Sequence, residues 1–104
     1  MDGTTERRRS TRYPVTLSAK IICDARTHRA AVLDVSAGGL LLSASQRLDL
    51  TIGRTLDIDA TLIGRFEARI VGVTHRGIHL AVERMPAHYK QALGKISRLA
   101  RTWS

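Results

Sequence analysis

The sequence predicts an all-β fold, a small antiparallel β-barrel of about six strands with one C-terminal α-helix, and three observations carry that prediction. From Tyr13 to about residue 85, apolar and polar residues alternate with a period of two, broken at roughly ten-residue intervals by turn formers. After Pro86 the period lengthens to that of a helix. The length of 104 residues allows one domain with one core. The expected organisation is a flexible basic arm over 1–12, a barrel over 13–85 and an amphipathic helix over 86–104.

Each element follows from its residues. In Val15-Thr16-Leu17-Ser18-Ala19-Lys20-Ile21-Ile22-Cys23 the odd positions are apolar, so one face packs and the other is wet, and Cys23 falls on the packed phase. Asp24 to Thr27 predicts a turn. A second strand runs from about Arg29 to Val35 and ends at Ser36-Ala37-Gly38-Gly39, where the paired glycines are expected to supply backbone conformations closed to other residues. Leu40 to Ala44 predicts a third strand. Leu56, Ile58, Ala60 and Leu62 alternate with polar residues in a fourth, Phe66 to Thr74 form a fifth, and His75-Arg76-Gly77 turns the chain into a sixth, Ile78 to Val82. Pro86 then starts a helix whose apolar arc, Tyr89, Leu93, Ile96, Ala100 and Trp103, is expected to cover the barrel or an open edge of it.

Composition narrows the function. No apolar run approaches the ~20 residues of a spanning helix, and no apolar segment follows Met1 to Thr5, so no membrane partner, no signal peptide and a cytoplasmic location are expected. One cysteine permits neither an internal disulfide nor a thiolate metal cluster. Seventeen Lys and Arg against nine Asp and Glu leave a net charge of +8, concentrated in residues 1–12 and 83–104, and most of the cations are arginine. Arginine's planar fork pairs bidentately with phosphate and with the O6/N7 edge of guanine, so the composition favours an anionic partner.

Catalytic signatures are missing from the sequence: there is no Gly-rich phosphate loop with its lysine, no Cys or His set at zinc spacing and no nucleophile elbow. His75 and His79 have helical ligand spacing but fall in a hairpin, and Asp57 and Asp59 sit on a wet strand face. No catalytic residue and no metal are expected, and the protein is not expected to be an enzyme.

Two clusters remain. Glu6-Arg7-Arg8-Arg9-Ser10-Thr11-Arg12 is a basic run before the first strand. Asp34-Val35-Ser36-Ala37-Gly38-Gly39 joins a carboxylate and a hydroxyl, two residues apart and expected on one strand face, to a glycine turn. Arg8-x-x-x-Arg12 followed about twenty residues later by Asp34-x-Ser36-x-x-Gly39 resembles the paired signature of the PilZ domain, a bacterial receptor module for cyclic di-GMP. Among the four arginines only Arg8 and Arg12 have the required spacing. The resemblance runs from residue 6 to residue 103.

The resemblance implies a cyclic di-GMP site built by Arg8, Arg12, Asp34, Ser36 and Gly39, with Arg9 and Gly38 as additional candidates. It adds Arg7, because a basic residue before the first motif arginine goes with two stacked ligand molecules per chain. It also implies a downstream protein partner and effects on motility, surface polysaccharide or biofilm. The residue types suit the ligand: arginines for phosphates and Hoogsteen edges, and an acceptor-only carboxylate for guanine's N1–H and N2–H donors. Two alternatives stand beside this reading. One is a nucleic-acid-binding barrel, opposed by having only four aromatics, Tyr13, Phe66, Tyr89 and Trp103, none at stacking-platform spacing. The other is a ligand-blind interaction module on the same fold.

Overall fold

The computed structural model describes residues 11–44 and 49–103. Six antiparallel strands, β1 (Tyr13–Cys23), β2 (Arg26–Val35), β3 (Gly39–Ala44), β4 (Thr55–Ala60), β5 (Gly64–Thr74) and β6 (Gly77–Ala81), close into a barrel in the order β1-β2-β3-β6-β5-β4. One helix, α1 (Ala87–Trp103), follows them. The expected barrel and helix are both present. Closure depends on two pairings between strands distant in sequence, β1 with β4 and β3 with β6. The interior is filled by the apolar phase of every strand, including Ile21, Val32, Leu42, Leu56, Ile58, Ile70 and Ile78. Burying each such side chain contributes roughly 1.5–3 kcal/mol.

The turns differ from expectation in three places. Asp24 and Ala25, with φ of 52° and 60°, form a two-residue turn with both centres left-handed, so Arg26 and Thr27 join β2. This geometry matches the right-handed strand twist, which is why two residues suffice. Leu62 does not continue β4: it sits in the β4–β5 turn with φ 74° and is 66% exposed, while Ile63 enters the core in its place. At the β2–β3 turn neither Gly38 nor Gly39 has a positive φ. Gly39 is required for another reason, since a Cβ there would overlap the Leu80 carbonyl oxygen of β6, whereas Gly38 faces open space.

The helix begins just after Pro86, whose carbonyl accepts from the amides of Tyr89 and Lys90. Tyr89, Ala92 and Ile96 pack into the barrel's core, with Leu93 partly buried beside them, so the expected arc covers the barrel from Tyr89 to Ile96, against β1 and β5, while the Ala100 and Trp103 side chains lie outside the described ones. Cys23 is only partly buried, against the core and beside the Arg54 guanidinium.

Candidate functional site

Strict alternation along β2 would have turned Asp34 into the core. His28, Ala30 and Val32 occupy inward positions, and continuing the period would place the carboxylate next. An irregularity at Leu33 prevents it. On β3, Val32 pairs with Leu42 and Asp34 with the very next residue, Leu41, so Leu33 is an extra residue on β2. The phase resets, Val35 becomes the next core residue, and Leu33 and Asp34 both face outward. Re-aiming a side chain at a site is a recurrent use of such bulges.

The outward carboxylate lies in a row that crosses four strands: Pro14 pairs with Asp34, Asp34 with Leu41, and Leu41 with His79. Arg12, immediately before β1, donates from Nη1 to Asp34 Oδ1 at 2.8 Å. Arg12 keeps 57% of its side chain exposed, and Asp34 14%. Leu41 is 3% exposed although it packs outside the interior cluster, and it forms an apolar floor on the barrel's outer surface. With Pro14, Leu33 and Arg76 these residues line an open groove of about 490 Å³, within the range of small-molecule sites. A carboxylate has about four lone-pair positions, so the bond to Arg12 orients Asp34 and leaves acceptor capacity facing the groove.

The turn at the end of β2 is held from inside. Ser36, 3% exposed, closes it with its amide donating to the Gly39 carbonyl at 2.8 Å and its hydroxyl donating to the same oxygen at 3.2 Å. The Ser36 hydroxyl is thus engaged within the turn and does not share the outward face with Asp34, because β2 ends at Val35. From α1 the Tyr89 hydroxyl reaches the Ser36 carbonyl at 3.1 Å and the Gly39 carbonyl at 3.3 Å, sharing its one proton between them. Its ring meets Phe66 edge-on with centroids 5.1 Å apart. Burial, and to a lesser degree the negative charge of Asp34, push the Tyr89 phenol well above its ordinary ionisation range. The neutral donor is therefore retained through neutral pH, and its contribution is complete below pH of about 10, being lost as pH rises towards its folded-state ionisation.

Tyr89→Phe keeps the ring and removes only this donor. It is expected to lower stability by about 1–3 kcal/mol, the cost of leaving buried carbonyls short of a partner. Thermal unfolding at pH 7 measures this, and an unchanged melting temperature would show that the turn does not depend on the helix.

Of the residues singled out from sequence, Arg12 and Asp34 come into contact across 22 positions, and Ser36, Gly38 and Gly39 form the adjoining turn. Arg7, Arg8 and Arg9 lie outside the described residues. Asp57 makes an ion pair with Arg65 at 3.6 Å, and His79 Nε2 lies 2.9 Å from Thr74 Oγ1 within the β5–β6 hairpin. Sequence reasoning passed over Leu41, Arg76 and Tyr89. Leu41 left a legible trace, since three successive leucines, Leu40 to Leu42, break the alternation. Tyr89 was legible as a packed residue of the helix but not as a donor to the Ser36 turn, and Arg76 left no trace, because these roles depend on the docking of α1 and on the β3–β6 pairing.

Comparison with known proteins places these features in context. The PilZ domain family model matches residues 6–98. Among solved structures, the fold is similar to the PilZ domain, with c-di-GMP, of YcgR from Escherichia coli, with a TM-score of 0.64 and 18% identity, covering 92% of this chain and 95% of that one. No curated protein matches the chain by sequence.

Proposed function

The chain belongs to the PilZ domain family, and from that membership we propose that it is a cytosolic, non-enzymatic receptor for cyclic di-GMP that relays the messenger to a partner protein in control of motility, surface polysaccharide or biofilm. The observation that carries the proposal is the 2.8 Å pairing of Arg12 with Asp34 at the edge of an outer-face groove floored by Leu41. It joins one residue from each half of the two-part motif at a single place on the surface. The chemistry suits guanine: Asp34 offers acceptors to N1–H and N2–H, Arg12 can fork onto a phosphate or the O6/N7 edge, and Leu41 and Pro14 provide apolar surface for a base. Arg7, next to Arg8, supports a stoichiometry of two, because a stacked pair of ligands brings four phosphodiester charges together.

Calorimetric titration with cyclic di-GMP, cyclic di-AMP and single-stranded DNA tests this reading. Saturable binding of cyclic di-GMP at physiological salt with an endpoint of two ligands per chain is expected, falling toward one in Arg7→Leu. Asp34→Ala should erase the preference for guanine over adenine, since adenine offers no matching donor pair on that edge. If cyclic di-GMP gives no heat while DNA binds with steep salt dependence, the receptor reading fails in favour of a nucleic-acid-binding barrel.

A further inference from the structure

The groove has two walls, and only one carries the residues of the two-part motif. Arg12 and Pro14 approach from the β1 side, while the other wall is the β5–β6 hairpin, from which Arg76 lines the same groove. The hairpin is held closely against the floor. Gly77, with φ 139°, lies so near β3 that a Cβ there would overlap the Leu42 carbonyl oxygen and touch Leu41 Cδ1 at 3.4 Å. Thr74 Oγ1 accepts from the Arg76 amide at 3.2 Å and lies 2.9 Å from His79 Nε2, so the turn is tied to the strand that pairs with Leu41. Arg76 is thereby set beside the groove by backbone contacts, and its guanidinium has no ion-pair partner among the described residues. Arg12, by contrast, already gives one of its donors to Asp34.

Resting on the receptor reading above, we propose that Arg76 is a further ligand-binding residue that takes an anionic oxygen of the ligand on the wall opposite Arg12, and so selects cyclic dinucleotides over nucleotides with a single phosphate. The charges argue for it. Arg12 gives one donor to Asp34 and keeps the rest of its exposed guanidinium for a ligand, whereas Arg76 has no ion-pair partner among the described residues, so each wall presents a cation. A cyclic dinucleotide carries its two phosphodiesters on opposite edges of one ring. A groove with a cation on each wall can engage both at once, while a mononucleotide can satisfy only one wall. Adjacent strands are spaced about 4.8 Å apart, so the two strand-to-strand steps from Asp34 to His79 span roughly 10 Å. An arginine at the hairpin can reach a group that the Asp34 side cannot.

The test is titration of wild type, Arg76→Ala and Arg76→Lys with cyclic di-GMP and separately with GMP, alongside thermal unfolding. Arg76→Ala is expected to weaken cyclic di-GMP about ten- to a hundredfold, the loss of one charge-assisted contact. GMP affinity should change less than threefold, and the melting temperature should stay within about a degree, because an exposed side chain with no ion-pair partner among the described residues is being removed. Arg76→Lys should recover part of the loss, since the charge remains and the fork does not. If wild type binds cyclic di-GMP and Arg76→Ala binds it equally well, or loses both ligands in the same proportion, the assignment of Arg76 is overturned while the receptor reading stands. If wild type itself does not bind cyclic di-GMP, the receptor reading falls first and the assignment with it.

Discussion

Gly39→Ala is expected to destabilise the fold by on the order of 3 kcal/mol, the upper range for forcing a methyl group into a packed interior. A Cβ at this position would overlap the carbonyl oxygen of Leu80 and crowd its carbonyl carbon, both backbone atoms that cannot swing aside. The pairing of Gly39 with Ala81 opens the β3–β6 ladder, one of the two long-range closures of the barrel, so the strain falls where the barrel is sealed. For a domain of this size the melting temperature should drop by roughly 12–24 °C. Gly38→Ala provides the control: its Cβ would meet no atom within 4 Å and its φ is not positive, so a change within about 0.5 kcal/mol is expected. Equal effects in thermal unfolding of the two variants would show that turn flexibility, and not close strand approach, is what the glycine pair provides.

Arg12→Ala is expected to have the largest effect on ligand binding, a loss of about 2–4 kcal/mol, or roughly thirty- to several-hundredfold in affinity. Two losses combine in it. One guanidinium contact to the ligand disappears, and Asp34 loses the bond that orients its carboxylate at the groove. Stability should move by no more than about 1 kcal/mol, because the ion pair is more than half exposed on the arginine side. Arg12→Lys should fall in between, keeping the charge without the fork. Wild-type affinity in both variants, measured by calorimetry with cyclic di-GMP, would remove Arg12 from the site.

Much of this could be read from the residues in order. The alternation of β1 and of β4 up to Ala60 identified the core positions that the barrel buries, and the period change at Pro86 located the helix to within a residue. The two halves of the motif were legible as residue types at fixed spacings. Leu62 shows the limit of such reading: it continues the apolar phase of β4 by one step, yet the chain has already turned there. A period of two describes a strand for as long as the strand lasts and contains nothing about where it stops.

What the sequence determined by itself is therefore the local information: which segments alternate, which end in turns, and which residue types stand at the motif positions. Each of these depends on neighbours within a few residues, where steric and hydrogen-bonding preferences act without the rest of the fold. Where the chemistry points was decided only by the tertiary structure. The bulge at Leu33 arises from the unequal number of residues matched between β2 and β3, and it turns Asp34 outward when the local period would have buried it. The grip of Tyr89 on the Ser36 turn and the arrival of Arg76 at the groove both depend on contacts spanning 35 residues or more or on the closure of the barrel. A one-residue difference in register reverses the face of every side chain beyond it, and that register is set by packing both strands against a common core, which no local stretch of sequence contains.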